Sequence, residues 1–122
     1  MPAYRCWLNG RAITLTSWDP QQPLLYALRG SPGLHGAKIG CGLGQCGSCT
    51  ILVDDQPLRS CVTAVESVAG KRIVTIEGLG TDERPDPVQA AFVAEQAAQC
   101  GYCTPGMVMA AKALLARTPK PT

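Results

Sequence analysis

The stretch Gly40-Cys41-Gly42-Leu43-Gly44-Gln45-Cys46-Gly47-Ser48-Cys49 sets three cysteines among four glycines, and no other part of the chain restricts the fold as severely. Cys41, Cys46 and Cys49 stand at C-x₄-C-x₂-C and Cys61 follows, the spacing of thiolates that wrap a [2Fe–2S] cluster and take a later fourth ligand. Each iron of such a cluster is tetrahedral, with two bridging sulfides and two thiolates, so a loop giving three thiolates must curl tightly. Gly40, Gly42, Gly44 and Gly47 alternate with the ligands as that curl requires, because glycine accepts close approaches and unusual backbone angles. The N–H groups it exposes can hydrogen-bond the sulfurs and raise a potential that is roughly −400 mV in plant-type clusters. A structural zinc site would use the same thiolates, but such sites favour two separated C-x₂-C pairs.

The remaining composition narrows the class. The chain has 122 residues, one domain or two very small ones, and two half-sized modules would need metal or partners to hold them. Net charge is +2, aromatic residues are 5% of the chain and no basic run exists, which argues against nucleic-acid binding. Residues 1–30 carry no unbroken apolar segment, and none elsewhere is long enough for a bilayer, so no direct membrane span is expected. Absence of a signal peptide predicts a cytoplasmic protein, with export beside a signal-bearing partner as the alternative. Seven cysteines, an odd number, without a secretory signal point to metal or redox chemistry rather than disulfides.

In chain order, Tyr4, Cys6 and Leu8 alternate with polar or exposed positions, Asn9-Gly10 is a type I′ hairpin signal, and Ile13 and Leu15 face inward on the return. Cys6 reads as a buried core thiol. Pro23 opens and Gly30 closes a short helix whose Leu24, Leu25 and Leu28 share a face; Ser31-Pro32-Gly33 is loop. Thr50–Val53 predicts a strand, Asp54-Asp55 a turn, and Pro57-Leu58 a return that brings Cys61 back to the loop. Arg72–Glu77 predicts a further strand. This is an α+β module of β-grasp layout over residues 1–78. Residues 79–87 lack periodicity and read as a linker.

From 88 to 122 the pattern is helical. Asp86 caps and Pro87 opens one helix, with Val88, Ala91 and Phe92 at helical spacing. Thr104-Pro105 repeats that grammar, Val108, Ala111 and Leu115 line a second helix, and Lys112 and Arg117 suit its C-terminal dipole. Two helices alone have little to bury against. They meet at Cys100-Gly101-Tyr102-Cys103, which as an isolated C-x-x-C is either half a metal site or a dithiol, though a thioredoxin-like dithiol expects a βαβ context. His35, a loop residue, and Met107 and Met109, on a helix, read as a solvated side chain and as packing. No nucleotide loop, Ser/His/Asp set or carboxylate pair appears, so no substrate chemistry is expected of this chain.

Taken together, Leu24–Arg29, Gly33–Gly42 through Cys49-Thr50, Ser60-Cys61 and Gln99-Cys100-Gly101-Tyr102-Cys103-Thr104-Pro105-Gly106-Met107 resemble the iron–sulfur small subunit of the xanthine oxidase family of molybdenum hydroxylases. In style the chain is similar to the small subunits of bacterial isoquinoline-, nicotinate- or aldehyde-oxidising enzymes. The resemblance implies a plant-type ferredoxin-like domain followed by a helical domain, half of a four-helix bundle, that holds a second [2Fe–2S] cluster. It implies electron transfer from a molybdopterin centre in a large partner subunit to a flavin or cytochrome c subunit. It makes Gln99 a contact of that pterin and Cys100 and Cys103 two ligands of the second cluster. The family's other two ligands come from a C-x-C motif that does not occur before Thr122, so a fragment or a continuing chain is expected. A free-standing ferredoxin-type carrier, or a zinc-binding interaction module, is the alternative; soluble carriers are commonly acidic, unlike this chain.

Overall fold

The structure, a computed structural model, describes residues 2–30, 32–81 and 83–120. Ser31 of the predicted loop, Asp82 of the predicted linker and residues 121–122 at the end of the predicted helical segment lie outside the described residues, as does Met1.

A five-stranded mixed sheet, ordered β2-β1-β5-β3-β4, carries helices on both faces. Strands β1 (Ala3–Leu8) and β2 (Arg11–Thr16) form the expected hairpin, with Asn9 and Gly10 both at positive φ (51° and 84°) as the turn demands. The Asn9 side chain does more than turn the chain. Its amide donates to Thr75 Oγ1 and its carbonyl accepts the Thr75 N–H, each at 2.9 Å.

Helix α1 (Leu24–Arg29) packs Leu24, Leu25 and Leu28 against Leu15, Ile51, Val65, Val68 and Ile73, forming the main core with Cys6 at 4% exposure. Strands β3 (Thr50–Val53) and β4 (Gln56–Arg59) flank a turn in which Asp54 and Asp55 both have positive φ. Pro57 is tolerated because β4 is an edge strand. β5 pairs parallel with β1 and antiparallel with β3.

β5 is shorter than predicted, covering Arg72–Val74 and giving way to a 3₁₀ turn at Ile76–Gly78. Two side chains end it. Asn9 takes up the polar groups of Thr75, and the Glu77 carboxylate accepts the Gly36 N–H at 2.7 Å.

Helix α2 (Pro87–Ala94) starts as predicted, with a capping box in which Asp86 accepts from Val88 N–H at 3.0 Å and Gln89 accepts from Asp86 N–H at 2.9 Å. Of the predicted face, Val88 is buried and Phe92 half-buried, whereas Ala91 is exposed. The helix stops at Gln96, whose φ of 50° lets Gln96 and Ala97 donate to the carbonyls of Val93 and Phe92.

Helix α3 (Thr104–Arg117) departs from expectation in two respects. Thr104 is its first residue, not its cap; Cys103 occupies the cap position and makes no capping hydrogen bond. Its buried face is Gly106, Val108, Met109 and Ala113, while Ala111 is half-buried and Leu115 exposed. Nor do the helices lack a surface to bury against. Met109 and Ala113 pack on Leu52 from the sheet, with Val74, Ile76 and Leu79 around them. Leu52 and Val74 thus face α3, while Ile51, Val53 and Ile73 face α1, as the alternation of a strand requires.

Candidate metal centre

The loop between α1 and β3 is tied down from several sides. Lys38 N–H donates to Ser48 O at 2.9 Å, and Ser48 Oγ lies 3.1 Å from Lys38 O. Arg29 donates to Ala37 O at 3.0 Å. Burial alone would push the Glu77 carboxyl up; donations from the Gly36 N–H, the Thr75 hydroxyl and other backbone N–H groups outweigh it and hold the carboxyl below its ordinary value.

Held this way, the loop turns its amides inward. Cys41 Sγ accepts from the N–H groups of Gln45 (3.2 Å), Leu43 (3.3 Å) and Cys46 (3.3 Å). The N–H of Cys46, then those of Leu43 and Gln45, lower the Cys41 thiol below its ordinary value. Cys46 Sγ lies 3.1 Å from Ser48 Oγ and 3.4 Å from the Cys41 N–H, and the Ser48 hydroxyl, followed by backbone N–H donations, brings this thiol down to about 6. Such an environment favours the thiolate that metals require.

Cys49 and Cys61 differ in being buried. Burial, then the adjacent Cys49 thiol, raises the Cys61 thiol, with the Gly44 N–H opposing. Ser60 fixes this side, its N–H and hydroxyl both donating to Cys49 O at 3.3 and 2.7 Å. Cys41 and Cys46 thus each offer a backbone N–H to the other's sulfur, and the Cys61 thiol feels both Cys49 and Cys41. Among the described residues no group of three or more His, Cys, Asp or Glu side chains stands in the geometry that holds a metal ion. A binuclear cluster takes four thiolates, and Cys41, Cys46, Cys49 and Cys61, the first two lined by N–H groups, match that donor set.

The glycines serve two purposes. Gly42, Gly44 and Gly47 have φ of 69°, 74° and 81°, in the left-handed region. Gly40 does not; there a Cβ would lie 2.6 Å from Cys46 Sγ.

The second motif lies beside the first. Cys100 and Cys103 are exposed, Cys103 Sγ is 3.6 Å from Met107 Sδ, and Gln99 is exposed. The Tyr102 hydroxyl donates to Ile39 O, one residue before Gly40 of the cysteine loop. A Cβ on Gly106 would collide with Gly47 O and stand 2.8 Å from Ser48 Cα, so the first turn of α3 rests on the loop backbone itself. Met109 is packing, as expected, whereas Met107 is half exposed. His35 is exposed. Sequence reasoning missed Ser48, Arg59 and Gly106. Only Gly106 carried a signal, since a glycine inside a helix costs about 1 kcal/mol and usually marks close packing.

The sheet, the cysteine loop and the attached helices together define a two-part iron–sulfur protein. A family model described as a 2Fe-2S iron–sulfur cluster binding domain matches residues 8–72, and another described as a [2Fe-2S] binding domain matches residues 75–122. The chain is 51% identical over 115 residues to one of the nicotinate dehydrogenase chains of Pseudomonas putida, covering 94% of this chain and 73% of that one. It is 44% identical to the alpha chain of isoquinoline 1-oxidoreductase from Brevundimonas diminuta, over 94% of this chain and 75% of that one. A solved structure of quinoline 2-oxidoreductase from Pseudomonas putida superposes with a TM-score of 0.93 at 41% identity, covering 99% of this chain and 74% of its match. The chain belongs to the iron–sulfur small subunits of the xanthine oxidase family of molybdenum hydroxylases.

Proposed function

We propose that this chain relays single electrons within a multi-subunit molybdenum hydroxylase and performs no substrate chemistry itself. The observation that carries the reading is the set of inward-turned N–H groups on the sulfurs of Cys41 and Cys46 in the loop that also holds Cys49. Cys41, Cys46, Cys49 and Cys61 would hold the first [2Fe–2S] cluster. The group supplies one-electron exchange; the chain supplies thiolates, hydrogen bonds to sulfur and a fixed position.

Cys100 and Cys103 give two thiolates of a second cluster. Cys6 is buried in the main core and is no candidate for a third. In this reading residues 1–78 are a plant-type ferredoxin-like β-grasp domain, 79–87 a linker, and 88–122 half of a four-helix bundle. The exposed Gln99 side meets the molybdopterin of a large subunit, and electrons leave from the Cys41 side to a flavin or cytochrome c subunit. No helix among the described residues is long and apolar enough to cross a membrane, and the proposed compartment is the cytoplasm.

Anaerobic purification of the complex, with iron and sulfide quantitation, EPR on reduction and native mass, tests this. Expected are bound iron and sulfide, a rhombic signal on reduction and a large partner. A colourless protein with stoichiometric zinc, or a lone monomer that turns over with reductases, overturns it.

A further inference from the structure

The cysteine loop is roofed by a cation. Arg59, the last residue of β4, lies two positions before Cys61 and reaches back over the loop. A Cβ on Gly47 would lie 3.1 Å from Arg59 Nη1, 3.3 Å from Cζ and 3.6 Å from Nη2, so the guanidinium sits over the backbone between Cys46 and Cys49. Nη1 donates to Thr50 Oγ1 at 2.5 Å, and Thr50 Oγ1 donates to Gly47 O at 2.7 Å, which anchors the group. The Arg59 stem also touches the Gly44 side, where its Cβ is 3.9 Å from a Cβ built on that glycine. Ion pairs among the described residues join Arg72 to Asp55 and Lys112 to Asp86, so no carboxylate there neutralises Arg59. A guanidinium carries a positive charge and donates but does not accept. The side chain is half-buried, where screening by salt is weaker than at the open surface.

We propose that Arg59 is the electrostatic tuning residue of the first cluster, its guanidinium fixed over Gly47 so as to raise the cluster's reduction potential. The inference rests on the [2Fe–2S] reading of Cys41, Cys46, Cys49 and Cys61. Two ferric ions, two sulfides and four thiolates sum to two negative charges, and reduction by one electron from the donor converts one iron to ferrous and adds a third. No bond forms or breaks and no proton is required. A fixed neighbouring cation attracts the more negative state more strongly, and charge around a cluster is one of the factors that set its potential.

Potentiometry followed by EPR, on the complex as purified, tests this with four variants. Arg59→Gln is expected to make reduction about tenfold less favourable, a fall of ~59 mV for a one-electron couple. Arg59→Lys keeps a charge and is expected to keep most of the potential. Thr50→Val removes the anchoring hydrogen bond but leaves the charge, so its potential falls by less than that of Arg59→Gln. Arg59→His places a switchable charge at the site, so its potential rises as pH falls through the ordinary histidine range near 6.5, relative to the unaltered chain.

A potential unmoved in an Arg59→Gln protein that retains its iron overturns the proposal, as does a Thr50→Val fall equal to that of Arg59→Gln. Should Arg59→Gln lose its iron, the Arg59→His profile decides, and a profile parallel to the unaltered chain overturns the proposal. Absence of iron and of an EPR signal from the unaltered complex defeats the cluster reading itself. A normal cluster with an unmoved potential defeats only the assignment of Arg59.

Discussion

Cys46 and Cys6 show how far a thiol's chemistry is set by its neighbours. Cys46 is exposed and brought down to about 6 by Ser48 and backbone N–H groups, whereas burial pushes the Cys6 thiol up. Cys46→Ser is therefore expected to abolish the first-cluster EPR signal and its bound iron, and Cys6→Ser to retain both. A normal signal in Cys46→Ser would remove Cys46 from the ligand set. At this scale the candidate cysteines stand out in the sequence because spacing along the chain alone singles them out. The Ser48 hydroxyl and the Arg59 guanidinium do not, since their contacts depend on tertiary geometry: the former on the fold of the loop, the latter on β4 returning across it.

The elements were legible where a local rule decides them and obscure where a distant group does. Asp86-Pro87 announces α2 through its cap, and the structure adds what the sequence could not, an ion pair at 2.7 Å to Lys112 on α3. Burial raises the Asp86 carboxyl, but Lys112 and the Val88 N–H more than offset it, so the carboxyl lies below its ordinary 3.8. A carboxyl lowered by folding contributes its stability fully above the ordinary value and loses it as pH falls through the folded value. Asp86→Ala is accordingly expected to cost about 1–2 kcal/mol in urea unfolding near neutral pH, and less in acid. The ends of α2 and β5 escaped the sequence. One is set by a left-handed glutamine rather than a glycine, the other by the side chain of Asn9. Gly106→Ala would drive a methyl into Gly47 O, and is expected to cost about 1–3 kcal/mol or more and to weaken iron retention, read by thermal unfolding and iron content.

For the molecule as a whole, the sheet is a shared wall, with α1 on one face and α3 on the other. The unbroken run Ile51-Leu52-Val53, buried throughout, is the signature of a strand covered on both sides, and the sequence held that clue. What covers the second face was hidden, because the helical spacing of α3 offers several apolar stripes and only packing selects Met109 and Ala113. Met109 is fully buried, so Met109→Ala is expected to destabilise by about 2–5 kcal/mol, with secondary structure and loop probes melting together. Separate transitions for the two halves would show that the wall is not shared. Separating the halves between residues 79 and 87 should uncover Leu52 and Val74 and yield a protein that binds hydrophobic dyes.

The seat of α3 on the cysteine loop is made of main chain on both sides, Gly106 against Gly47 and Ser48. A gap between redox centres that is set by side chains drifts as those side chains are exchanged. One set by main-chain contact is insulated from such exchange. Side chains on the outer surfaces could therefore be exchanged without moving the first turn of α3 against the cysteine loop.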